Sequence, residues 1–292
     1  MSERDVTTPN GRTLRVVDDG DPDGVAVLRH NGTPTSRVLG RDEIATAHAH
    51  GVRLISYDRP GYGRSTRHEG RTVADCAADV RAIAGELGIE RLAVWGISGG
   101  GPHALACAAL LEDLVPAVAT LASVAPFDTP GLDWLDGMGE DNHHEFGAVL
   151  ESPAAGRRLM ELARDAIGLG NPEAMRAGML SLLSDVDAAV LTGELAADMA
   201  EMMRVGMEPG VDGWLDDDIA FVTGWGFDPT AIRTPVLVMQ GREDRFVPYA
   251  HGEWLAAHIP SAEPRLLDGD GHLSLHANHG DELYDWLLER RG

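Results

Sequence analysis

Gly96-Ile97-Ser98-Gly99-Gly100 decides how this chain is read. The stretch follows the short apolar run Arg91–Trp95, which reads as a strand, and opens the helical pattern Gly99–Leu111. A serine at such a strand-to-helix turn must take a strained backbone conformation to hold its hydroxyl outward. The residues two positions away on either side, here Gly96 and Gly100, must then lack side chains or the chains collide. With 35 glycines in 292 residues, a G-x-S-x-G pattern alone carries little weight. Its place between strand and helix supplies the rest.

Working outward, Thr13–Val17, Val25–Leu28 and Arg53–Tyr57 read as strands. Thr72–Leu87 reads as a helix closed by Gly88, because Val73, Cys76, Ala77, Val80, Ile83, Ala84 and Leu87 share one face at helical spacing. Ala117–Val124 is a further strand. Mostly apolar strands alternating with helices predict an α/β fold with a mostly parallel sheet covered on both faces. From Pro126 onward the rhythm changes to helical patterns at Ala148–Ile167, Pro172–Leu183 and Asp187–Val205. Strand rhythm returns at Pro235–Met239 and Pro264–Leu267, with helices at Ala250–His258 and Leu273–Leu288. The expected organisation is a core of residues 1–125 and 231–292 with a helical insertion over 126–230.

Two later segments carry chemistry. After the strand Pro235–Met239 comes Gly241-Arg242-Glu243-Asp244, and a carboxylate just past a strand's C-terminal end lies on the same sheet edge as an elbow serine. Asp244 is the candidate acid, with Glu243 as the neighbouring alternative. After Pro264–Leu267 comes Asp268-Gly269-Asp270-Gly271-His272, which makes His272 the candidate base among twelve histidines. The chain order serine, acid, histidine differs from the orders of chymotrypsin and subtilisin. The loop His30-Asn31-Gly32-Thr33-Pro34 after Val25–Leu28 offers the Thr33 backbone N–H, which with the Gly99 N–H would hold an oxyanion. His30 and Asn31 read as residues that brace this loop.

These features together resemble the α/β-hydrolase superfamily over nearly the whole chain, as a capped, serine-nucleophile member. Asp58-Arg59-Pro60-Gly61-Tyr62-Gly63-Arg64-Ser65 is similar to the D-x-P-G-x-G-x-S loop of capped members. Gly241…Asp244…Val247-Pro248 is similar to their acid loop, which favours Asp244 over Glu243. The resemblance implies a helical cap at 126–230, no cofactor, and acyl transfer through Ser98 with His272 as base and Asp244 as its partner. Epoxide hydrolases and haloalkane dehalogenases of this superfamily carry an aspartate at the elbow, so Ser98 argues against both. A carboxylic ester or lactone of a small to medium, largely apolar molecule is the expected substrate. Proline iminopeptidase-like, C–C bond hydrolase and cofactor-free perhydrolase activities remain alternatives on the same triad, as does a slow-turnover ligand receptor.

Composition narrows the field from the other side. The formal net charge of −23 repels phosphate backbones, so neither nucleic acid nor an anionic membrane surface is an expected partner. All 24 basic residues are arginine, which excludes a Schiff-base lysine, a P-loop lysine and a Ser–Lys dyad. Cys76 and Cys107 lack CxxC spacing and read as buried free thiols, in keeping with a cytoplasmic setting, and no His/Cys/Asp cluster shows metal-ligand spacing. The first residues hold no apolar segment of a signal peptide. In the insertion, Trp134, Trp214 and Trp225, with the methionines of Met199–Met207, are candidates to line an apolar pocket, and Asp212–Asp218 reads as a solvated face or helix start. His143 and His144 read as exposed. Oligomeric state is not readable.

Overall fold

Alternation along the strands builds two apolar layers. In β5 (Ala93–Ile97), Val94 faces one side of the sheet while Ala93 and Trp95 face the other; in β7 (Val236–Gly241), Val236 and Val238 oppose Leu237 and Met239. The computed structural model describes residues 1–290. Among them one eight-stranded sheet runs β1-β2-β4-β3-β5-β6-β7-β8. The remaining strands are β1 (Ser2–Thr7), β2 (Thr13–Asp19), β3 (Val25–His30), β4 (Val52–Tyr57), β6 (Val118–Leu121) and β8 (Ala262–Leu267). β1 pairs antiparallel with β2 and β2 with β4, and from β4 to β8 every pairing is parallel.

Helices α1 (Arg41–Ala49) and α11 (His272–Glu289) cover one face, where Ala47, Leu275, Leu283 and Leu287 join Trp95 and Leu237. Helices α2 (Cys76–Leu87), α3 (Gly101–Leu110) and α10 (Tyr249–His258) cover the other with Val80, Ile83, Leu105 and Leu255. Gly88 ends α2 in the left-handed conformation (φ 65°), as its position predicts. The expected α/β architecture with a mostly parallel sheet is the one observed.

Between β6 and β7 the described residues hold six α-helices and no strand: α4 (Glu140–Glu151), α5 (Pro153–Ile167), α6 (Pro172–Gly178), α7 (Asp185–Val190), α8 (Gly193–Gly206) and α9 (Asp212–Val222). They pack on each other through Met160, Met175, Met203 and Trp214. Two expected helices divide here. Ala148–Ile167 breaks at Ser152, whose side chain caps α5 ahead of Pro153, and Asp187–Val205 breaks before Gly193 (φ 51°).

The reading of Asp212–Asp218 needs correction. Asp212 does start α9, but Asp216, Asp217 and Asp218 are buried. Arg67 holds Asp216 through two 2.8 Å bonds, and the Arg59 and Arg71 guanidiniums hold Asp217. Charged side chains go inside when their partners wait there. Among the described residues no helix is long and apolar enough to cross a membrane.

Candidate active site

Strands β3, β5, β7 and β8 all point their C-terminal ends to one edge of the sheet, the edge where ligands meet open α/β sheets. Ser98 leaves β5 with φ 54°, a region that costs an L-residue energy unless its surroundings impose it. The surroundings do. A Cβ on Gly96 would stand 2.2 Å from the Gly100 carbonyl oxygen, and one on Gly100 would stand 2.2 Å from that of His30. The two glycines flanking the serine are therefore required by close backbone approach, as the sequence pattern implies.

Past β7, Asp244 is buried and its carboxylate is fully engaged. Oδ1 accepts the backbone N–H groups of Phe246 (2.8 Å) and Val247 (2.9 Å). Oδ2 accepts Gln240 Nε2 at 3.1 Å and His272 Nδ1–H at 2.8 Å. Past β8, His272 begins α11 and stacks on Phe246 with ring centroids 4.5 Å apart. Burial acts to lower the imidazolium pKa, but the Asp244 carboxylate overcomes it and holds His272 above the ordinary histidine value. Because Nδ1 is bound to a carboxylate, Nε2 is the nitrogen left to exchange a proton.

The loop after β3 lies against the elbow: a Cβ on Gly32 would be 3.5 Å from Ser98 Cβ, and one on Gly99 would be 2.4 Å from Thr33 Oγ1. Thr33 and Gly99 are thus neighbours beside Ser98. Asn31 braces the loop, donating to the Tyr57 carbonyl (2.7 Å) and accepting from Arg29 (2.6 and 2.9 Å) and Ser56 (3.0 Å). Thr33 Oγ1 donates to Asp217 Oδ2 at 2.7 Å and accepts from Arg59 Nη2 at 3.0 Å, while Arg59 Nη1 donates to the Asn31 carbonyl. Tyr62 OH also donates to Asp217 (2.7 Å). Burial opposes ionisation of Asp217, yet Arg59 and Arg71 hold it far below the usual carboxylate range. The loop beside the serine is therefore anchored by a charge from α9. Sequence reasoning missed Asp217, and its only signal there was Arg59 in the D-x-P-G-x-G-x-S stretch.

Ser98, Gly99, Thr33 and His272 line one cavity of about 620 Å³. Its walls toward the insertion are Met160, Met179, Met199, Met203, Trp214 and Phe221. Of the three candidate tryptophans, Trp214 lines it. Trp134 and Trp225 do not. Trp134 is spent on packing against Phe127, Phe146 and His251 and donates to the Ala125 carbonyl at 2.7 Å, and Trp225 packs on Phe227 and accepts the Ala74 N–H on its carbonyl at 2.9 Å. Asp42, Asp141 and Asp281 are exposed where the cavity opens, and Arg29, the one guanidinium of the lining, is committed to Glu43 and Asn31. Glu145 lines the cavity beside Trp214, whose Nε1 donates to it at 2.7 Å, and faces Asp218. Burial raises both carboxyls, and the neighbouring Glu145 raises Asp218 further. His143 and His144 are exposed, and His144 touches the cavity mouth.

Metal-ligand chemistry gathers elsewhere, in a group that sequence spacing did not reveal. His30, Cys76 and Cys107, from β3, α2 and α3, place their ligand atoms within 4.8 Å of one another in the core. Both cysteines are buried free thiols. Three donors are one short of a closed tetrahedral set, and Cys76 already donates to the His103 carbonyl (3.4 Å).

Known proteins share this fold. The model of the alpha/beta hydrolase fold family matches residues 25–278. Over 247 residues the chain is 29% identical to a non-heme chloroperoxidase of Streptomyces lividans, covering 84% of this chain and 83% of that one. It is 27% identical to epoxide hydrolase A of Mycobacterium tuberculosis, over 93% and 91%. The solved structure of a thermophilic esterase from Thermogutta terrifontis superposes with a TM-score of 0.71 over 100% of both chains at 20% identity.

Proposed function

The chain belongs to the alpha/beta hydrolase fold family, and from that premise we propose that it is a serine hydrolase cleaving a carboxylic ester or lactone of a neutral, largely apolar small molecule. The observation that carries the reading is the 2.8 Å bond from His272 Nδ1–H to Asp244, made beside the cavity that Ser98 also lines. His272 Nε2 takes the Ser98 proton as Oγ attacks the carbonyl carbon, and Asp244 steadies the imidazolium that forms. The N–H groups of Thr33 and Gly99 hold the oxyanion, whose charge exists only in the transition state and intermediate. His272 then gives its proton to the leaving alkoxide, and water repeats the sequence to release the acid. Residues 126–230 act as the cap over a core of 1–125 and 231–292, supplying the apolar walls of the pocket.

A serine at the elbow attacks to give an acyl ester, not the alkyl ester an aspartate would give, so epoxide opening is not the proposed reaction despite the likeness to an epoxide hydrolase. The likeness to a chloroperoxidase favours one second reading, in which hydrogen peroxide replaces water in the deacylation step and a peracid leaves.

A panel of p-nitrophenyl esters of rising acyl length, with lactones and amino-acid arylamides beside it and Ser98→Ala as control, tests the proposal. Turnover of esters that depends on Ser98 is expected, with arylamides poor. The acidic cavity mouth adds a sharper expectation. A neutral ester should exceed a half-ester of similar length bearing a free carboxylate by on the order of tenfold in kcat/KM at low salt, the ratio shrinking as salt screens the rim. Equal or better turnover of the anionic half-ester contradicts the substrate assignment.

A further inference from the structure

Helix α11 begins at His272 after Gly271, which has no side chain to offer its first N–H groups, while Ser274 Oγ within the helix accepts the Gly271 N–H at 2.7 Å. The cap comes instead from Asp187 in α7, 85 residues upstream. Asp187 Oδ2 accepts the His272 backbone N–H at 2.9 Å, and Oδ1 accepts those of Leu273 (2.8 Å) and Ser274 (3.0 Å) together with Ser274 Oγ–H (3.0 Å). Ser184 Oγ–H adds a bond to Oδ2 at 2.9 Å. Three of the N–H groups that a helix start leaves free are thereby met by one carboxylate. A Cβ on Gly271 would stand 2.3 Å from Asp187 Oδ2, so glycine is what lets the carboxylate in.

We propose that Asp187 is a positioning residue for the reaction: from the insertion it fixes the backbone that carries His272 and places a second negative charge near its imidazole. The proposal rests on the reading of His272 as the base. Among the described residues the charged groups acting on His272 are Asp244 from the loop after β7 and Asp187 from α7. Burial works to neutralise Asp187, but the donors from Ser274 and His272 prevail and keep it ionised, and its charge in turn helps keep His272 above the ordinary value. Because these bonds cross from the insertion to the sheet's helix, moving α7 outward would free the start of α11. Seating the insertion and aligning the base are one event.

Two variants grade the loss of charge and of capping, since the asparagine amide NH2 cannot accept the bonds that one carboxylate oxygen accepts. Asparagine keeps a capping oxygen and removes the charge; alanine removes both. In Asp187→Asn the acidic limb of kcat/KM for p-nitrophenyl butyrate, and the titration of His272 followed by imidazole NMR and assigned with His272→Gln, should both move to lower pH. The sign follows because loss of a nearby anion makes the imidazolium easier to deprotonate. kcat should fall on the order of tenfold in Asp187→Asn and a hundredfold in Asp187→Ala, with KM within about twofold, as expected for a misplaced reacting group. An Asp187→Asn protein with wild-type kcat, or with a His272 titration and acidic limb in their wild-type places, overturns the proposal and leaves Asp187 a helix cap. If alanine prevents folding, the asparagine variant decides. If the wild-type protein shows no Ser98-dependent ester turnover, the hydrolase reading fails by itself, and the NMR titration still judges Asp187.

Discussion

Replacing Ser98 by alanine is expected to lower kcat/KM for a neutral p-nitrophenyl ester by about 10⁴–10⁶ while leaving the melting midpoint nearly unchanged. The change removes one oxygen and keeps Cβ, so the φ of 54° and the packing around Gly96 and Gly100 persist. What disappears is the atom that forms the acyl bond. The Thr33 and Gly99 donors and the cavity remain, and they account for the residual rate over water. Steady-state kinetics on the purified variant, beside a thermal melt, read both quantities. A loss smaller than about tenfold would move the nucleophile elsewhere.

The second large effect is on stability. Asp217→Ala should cost about 3–5 kcal/mol, because it strands buried cations and does not merely delete a contact. Asp217 is fully buried and accepts from Arg59, Arg71, Tyr62 and Thr33, while Arg59 and Arg71 are themselves only 1% and 5% exposed. With their anion gone, neither guanidinium has another carboxylate in hydrogen-bonding reach among the described residues. At this chain length each kcal/mol moves the midpoint by roughly 2 °C, so a fall on the order of 10 °C is expected by calorimetry or circular dichroism. The same variant removes the bond from Thr33 Oγ1 to Asp217 and loosens the loop beside Ser98, so activity should fall as well. A midpoint within about 2 °C of the parent would mean that α9 does not anchor this edge of the sheet.

What the sequence makes legible here follows from how local the constraint is. The elbow could be read because backbone crowding dictates glycine at 96 and 100, within two residues of Ser98. The order of Ser98, Asp244 and His272 could be read because each follows a parallel strand, and parallel strands put those loops on one edge. β1 escaped notice because it is an edge strand in which only Val6 is buried, so its alternation is faint. The burial of Asp216, Asp217 and Asp218 escaped because their partners stand far away in sequence, Arg59 158 residues from Asp217, and a run of three aspartates looks solvated until those partners are in place. Asp187 is the extreme case. Its partners are mostly backbone N–H groups, which leave no residue-type signature at all. Trp134 and Trp225 show the converse: large aromatics in a helical insertion are as readily used for packing as for lining a pocket.

The most direct test of a covalent serine mechanism is to trap the covalent bond. The protein would be treated with a small fluorophosphonate, weighed intact by mass spectrometry and then mapped by peptide. The expected result is one adduct per chain, located on Ser98, absent from Ser98→Ala and formed far more slowly in His272→Ala. An unmodified chain, or an adduct at any other residue, would contradict it.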